Sequence, residues 1–132
     1  MSETKAKALG IEPMGIFRSC AVAGADPTLT YPAVPAAVNK ALVKAGITID
    51  QVDLIEIQEA FAVQALADAK LMGIKYEDFD SKINVNGSGI SLGHPIAATG
   101  AMRLITLLNE MRRCGFRYGL ETICGGGGQL MI

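Results

Sequence analysis

The sequence is short of the residues that usually mark a function. It has no tryptophan, one histidine and three cysteines in 132 residues, and only 19% of it is charged. Each shortage excludes something. A single histidine without clustered acids argues against a metal site. Three cysteines, odd in number and without CxxC spacing, make neither a disulfide framework nor a zinc site. Neither sign of charge dominates, with twelve Lys and Arg against thirteen Asp and Glu. There is thus no basic field for a nucleic-acid backbone and no acidic tail. The opening segment Met1–Lys7 is polar and lacks the apolar core of a signal peptide. No run approaches the roughly 18 apolar residues of a membrane span. These absences together predict a reduced, cytoplasmic domain with neither nucleic acid nor membrane as partner.

What is present is hydrophobic and unevenly distributed. Half of the chain is apolar, which argues against disorder, and the length suits one domain with a real core. Of 15 glycines, ten fall between Gly87 and Gly128, and that stretch also holds His94, Cys114 and Cys124. Any chemistry should be there.

Periodicity organises the rest. Ile16–Val22 is rich in strand formers and predicts a first strand. Gly24–Pro35 reads as a loop. Val34, Val38, Ala41, Leu42 and Ala45 then lie on one face of a helix ended by Gly46. Val52–Ile57 predicts a second strand, and Phe61, Ala65, Ala69 and Met72 space a second helix stopping at Gly73. Ile83–Val85 reads as a third strand. From Pro95 to Cys114 a stripe of Ile96, Ala101, Leu104, Leu108 and Met111 marks the longest helix. Tyr118–Cys124 and Gln129–Ile132 complete the set. The order is βαβαβαββ, an α/β domain with a mixed sheet and helices packed on it.

Two segments carry candidate chemistry. Asn86–Pro95 joins the third strand to the longest helix. Its Gly87, Gly89 and Gly93 invite a dinucleotide reading. Against that, the turn lies in the third βα unit, and Glu110, at the distance of a ribose partner, falls within the helix stripe. His94 sits before Pro95 at a helix N-terminus, where a neutral imidazole can take a proton or donate to a carbonyl oxygen. Equally, it can simply cap the helix. The second segment is Cys124 followed by four glycines. Successive backbone N–H groups there can form a concave oxyanion site, and a thiol beside them can work as acid or base. Cys20 and Cys114 read as small packing residues.

Five segments resemble those of the thiolases, enzymes that condense or cleave β-ketoacyl-CoA thioesters. Ile55–Ala62 resembles the NEAF block, Asn84–Ala101 the GHP block and Gly119–Gly128 the terminal CxGGG block. Val22–Pro27 and Pro32–Ala36 fit the first strand of the C-terminal domain and the loop after it. The resemblance runs from about Lys5 to the end and covers that domain alone; Ser2–Gly10 is similar to the interdomain helix, making residues 1–14 linker-like.

The resemblance implies an α/β thiolase-like half with these roles. His94 activates a nucleophilic cysteine and helps bind the thioester oxygen. Cys124 moves the proton at the α-carbon of acyl-CoA. Gly126 supplies an oxyanion-hole N–H, and Gln58 stands where the family's Asn holds a water in the other oxyanion hole. The substrate is a coenzyme A thioester, with no tightly bound cofactor and no metal. The nucleophilic cysteine belongs to an N-terminal half, so the partner is that half as a separate chain, or a homo-oligomer. Three departures stand out: Gln58 is one methylene longer than Asn, Leu130 and Ile132 replace a glycine and a small residue, and the N-terminal domain has no counterpart here. The rival reading is a non-catalytic interaction domain that keeps the fold.

Overall fold

The computed structural model of the chain describes residues 1–26, 28, 33–125 and 129–131. A short helix α1 (Glu3–Ala8) opens the chain, capped by the Ser2 hydroxyl, which accepts from the Lys5 N–H at 3.2 Å. Strand β1 (Val22–Gly24) follows, then helix α2 (Ala33–Ala45). Helix α2 turns Val34, Ala37, Val38, Ala41 and Leu42 into the core, the face read from the 3.6-residue spacing. Strand β2 (Leu54–Ile57), helix α3 (Ala62–Leu71), the short helices α4 (Phe79–Lys82) and α5 (Gly89–Leu92), and the long helix α6 (Thr99–Cys114) come next. Strands β3 (Gly119–Cys124) and β4 (Gln129–Met131) close the fold.

The four strands form one sheet in the order β1-β4-β3-β2. The β2–β3 pair is parallel, and β4 pairs antiparallel with both β1 and β3, so the sheet is mixed. Helix α2 packs on β1, β3 and β4, whereas α6 packs on β2 and β3. All four residues of β2 are buried, as a strand covered on both faces requires. Ile55 and Ile57 join Leu120, Val34, Val38 and Ala65 in the apolar core. The opposite face of β2 and β3, beneath α6, carries Glu56 and Glu121 beside Leu54 and Ile123.

Several readings of the sequence need correction. Residues 16–21 do not pair as a strand; the ladder begins at Val22, opposite Met131. Side-chain bonds tie that segment to α2 instead: the Ser19 hydroxyl donates to the Ala41 carbonyl at 2.8 Å, and the Lys44 ammonium to the Cys20 carbonyl at 2.9 Å. Ile83–Val85 reduces to a single parallel bridge between Ile83 and Ile55. Asn84 adopts a positive φ of 49°, and its side-chain amide takes both the N–H and the C=O of Ile57, at 2.7 and 2.9 Å. A side chain thus replaces the main-chain ladder.

The third correction concerns α6. Its buried residues are Thr99, Arg103, Leu107 and Glu110. Ile96, Ala101 and Leu104, from the stripe read as core, are exposed. With Leu108 and Met111, Leu104 instead lines an open cavity of about 560 Å³ shared with Met14, Phe17 and Phe116. Cys20 and Cys114, read as packing residues, are exposed free thiols. Among the described residues no helix is long and apolar enough to cross a membrane.

Candidate active site

The C-terminal end of β2 gathers the site. Gln58 extends the ladder past Ile57, its N–H donating to the Thr122 carbonyl at 2.9 Å. The glycine-rich turn is stitched to the same point. The Ser88 hydroxyl donates to the Ile57 carbonyl at 2.7 Å. Glu59 accepts from the Asn84 amide at 2.9 Å and from the Ile90 N–H, in the first turn of α5, at 3.0 Å. Gly89 lies against the Gln58 amide, and a Cβ there would fall 2.9 Å from the Glu59 carbonyl oxygen, so only glycine lets the turn come this close.

His94 follows Gly93, whose φ of 84° turns the chain out of α5. A single 3-10 turn, Ile96–Ala98, separates the histidine from α6, which therefore starts at Thr99 and not at Pro95. Ile96 holds a φ of 23°, a conformation that costs a β-branched residue on the order of 1–3 kcal/mol and that tends to occur where a site demands it. The exposed His94 ring is fixed through Nδ1, which lies 2.7 Å from Oγ1 of the fully buried Thr99. One residue on, a Cβ at Gly100 would lie 3.3 Å from Ile123 Cδ1. The start of α6 thus abuts β3 one residue before Cys124. Cys124 ends β3 there, and the turn bearing His94 leads into α6 beside it.

Beneath them lies a charged cluster that the sequence reading missed. Arg103 is fully buried, and its guanidinium donates to the Gly93 carbonyl at 3.2 Å and to the Gly87 carbonyl and Gln58 Oε1 at 3.5 Å each. It ties both ends of the turn to the end of β2. Glu56 and Glu121 share this face; burial pushes each carboxyl up to about 7, while the Arg103 charge pulls the other way. Arg103 Nε, Glu56 Oε2 and Glu121 Oε1 have no partner among the described residues. A mid-helix arginine reads as solvent-facing. The signal that betrays it is spacing, since Thr99, Arg103, Leu107 and Glu110 fall on one helical face.

Gln58 is 2% exposed, held between Gly89 and Arg103. Its amide oxygen therefore already has a donor. Cys124 is half-buried, and its thiol donates to Gln64 Oε1 on α3 at 3.5 Å. Burial, more than any other cause, pushes this thiol up, so the described surroundings favour the protonated form and not a stabilised thiolate. Gly126, the expected oxyanion donor, lies outside the described residues, as does Ile132. Cys20 and Cys114 are exposed, the latter donating to Glu110 near the C-terminal end of α6, and the described residues contain no group of three potential metal ligands.

Residues 11–131 match the family model described as the thiolase C-terminal domain. An acetyl-CoA acetyltransferase of Syntrophomonas wolfei is 49% identical over 128 residues, covering 97% of this chain and 32% of that protein. A 3-ketoacyl-CoA thiolase of Yersinia enterocolitica is 46% identical over 130 residues, covering 98% of this chain and 33% of the relative. The crystal structure of the Bacillus anthracis acetyl-CoA acetyltransferase superposes with a TM-score of 0.90 at 40% identity, over 99% of this chain and 33% of that one. The chain spans about a third of the length of the relatives it matches.

Proposed function

Because the chain belongs to the thiolase family, as its C-terminal domain, we propose that it is the C-terminal catalytic half of a thiolase-type acyltransferase. Its substrates are coenzyme A thioesters, condensed to or cleaved from β-ketoacyl-CoA in the cytoplasm without a tightly bound cofactor. An N-terminal thiolase half, on a separate chain or in an oligomer, supplies the nucleophilic cysteine. His94, through the nitrogen not committed to Thr99, takes the proton of that thiol and then donates to the thioester oxygen. Cys124 moves the proton at the α-carbon. A thiol kept protonated by burial suits the cleavage step, in which it protonates the leaving acyl-CoA carbanion. Gln58 and Gly126 belong to the two oxyanion holes.

The observation that supports this reading is a packing contact at the C-terminal end of β3. The turn bearing His94 leads into α6, whose Gly100 lies against Ile123, the residue before Cys124. The test is to mix this chain with the N-terminal half of a thiolase and assay acetoacetyl-CoA cleavage by CoA. Activity in the mixture, absent from either half, is the expected result; no activity in the mixture speaks against the reading.

A second reading, a non-catalytic interaction domain, draws on the apolar residues Phe17, Leu104 and Ile105, which are 77%, 42% and 56% exposed. Both readings need a covered face, but only the first needs His94 and Cys124 for turnover.

A further inference from the structure

Helix α3 carries a buried acid that the proposed chemistry does not use. Asp68 is fully buried, yet Oδ1 has no partner among the described residues, and Oδ2 accepts from Gln64 Nε2 at 2.9 Å. Gln64, one turn earlier and 1% exposed, turns its Oε1 to the Cys124 thiol. The three groups form one chain: thiol to amide oxygen, amide nitrogen to carboxylate. Among the described residues no other titratable group acts on Asp68 or Cys124.

We propose that Gln64 and Asp68 are positioning residues for Cys124, the charge state of Asp68 deciding which end of the Gln64 amide faces the sulfur. This rests on the proposed role of Cys124 as proton carrier, but its physical content is separate. An ionised Asp68 can only accept, so it holds Nε2 and leaves Oε1 for the thiol proton. A protonated Asp68 has an O–H to donate. The amide then turns over, taking that O–H on Oε1 and offering Nε2–H to the sulfur, where it stabilises a thiolate. No proton passes through the amide. The same side chain favours the thiol over a charged Asp68 and the thiolate over a neutral one, so the two titrations oppose each other. Burial pushes Asp68 up to about 7, which places the changeover in the neutral range.

The experiment is the pH profile of Cys124 alkylation by iodoacetamide, read by mass spectrometry on the full chain with the exposed Cys20 and Cys114 replaced by serine. Asp68→Asn keeps the shape and donates an N–H to Gln64, so Cys124 is expected to react roughly tenfold faster at neutral pH. In a Gln64→Leu background the same substitution is expected to change the rate little, because the link is gone. An equal acceleration in both backgrounds would overturn the proposal in favour of a through-space charge effect. So would an Asp68→Asn profile superimposing on that of Asp68. Should Asp68→Asn unfold by circular dichroism, Gln64→Leu decides: an inflection near pH 7 that is present in the parent and lost in Gln64→Leu supports the coupling, and one that persists in Gln64→Leu overturns it. None of these outcomes depends on acyl-transfer activity.

Discussion

Thr99 Oγ1 sits 2.7 Å from His94 Nδ1, so the first residue of α6 fixes a ring that is otherwise exposed. With Nδ1 engaged, Nε2 is the nitrogen left for chemistry, and the buried hydroxyl determines where it points. Thr99→Val removes the contact and keeps the shape. It should lower turnover of the reconstituted enzyme about tenfold or more while costing stability about 1–2 kcal/mol. Denaturant titration beside the cleavage assay separates the two effects.

Arg103 concentrates the structural risk. Its side chain ties Gly87, Gly93 and Gln58 together beside the buried Glu56 and the half-buried Glu121. Arg103→Met fills the volume but releases the turn and removes the only positive charge acting on Glu56 and Glu121 among the described residues. The expected loss is about 3 kcal/mol or more in urea unfolding. It should be worse at alkaline pH, where the carboxyls ionise unopposed.

Stability should fall as pH rises towards neutrality. Glu56 and Glu121 are pushed from 4.5 to about 7, and Asp68 from 3.8 to about 7, each chiefly by burial. Folded values above the unfolded ones mean that the stabilisation is complete below the unfolded values and lost as pH climbs through the folded ones. Glu110 works the other way, since Arg113 holds it down to about 2 and its contribution disappears in acid. Thermal unfolding should therefore give its highest midpoint in the mildly acidic range and a lower one at pH 8. Glu56→Gln should flatten the alkaline side.

The apolar cavity predicts association. Phe17 and Leu104 line it and are exposed. The chain alone should self-associate in light scattering at high concentration. The double substitution Phe17→Ser, Leu104→Gln should shift the mass towards the monomer with little change in unfolding midpoint. A monomer at every concentration, with no hetero-complex, would contradict this.

The same cavity explains where the sequence misleads. On α2 the apolar spacing and the core-facing side coincide, and Gly46 ends the helix where it stands, so that element is legible. On α6 the stripe of Leu104, Leu108 and Met111 marks the open cavity, because the sheet beneath this helix presents Glu56, Gln58 and Glu121. Hydrophobic periodicity reports an apolar face, not which neighbour it meets. The third strand fails for a local reason: Asn84 leaves the extended region and pairs through its side chain, which no period-two pattern encodes. His94 and Cys124 stood out by position, beside glycines and at element ends. Thr99, Gln64, Asp68 and Arg103, which hold them, lie in helices as ordinary polar residues and become visible only when the helices pack.

In the proposed function, His94 and Cys124 carry proton transfer once an N-terminal thiolase half is present. The most direct test compares acetoacetyl-CoA cleavage by the mixed halves with that of mixtures carrying His94→Ala or Cys124→Ala, complex formation being checked by size-exclusion chromatography. Each variant is expected still to form the complex but to lose about a hundredfold or more in rate. An intact complex whose rate is unchanged by either substitution would contradict it.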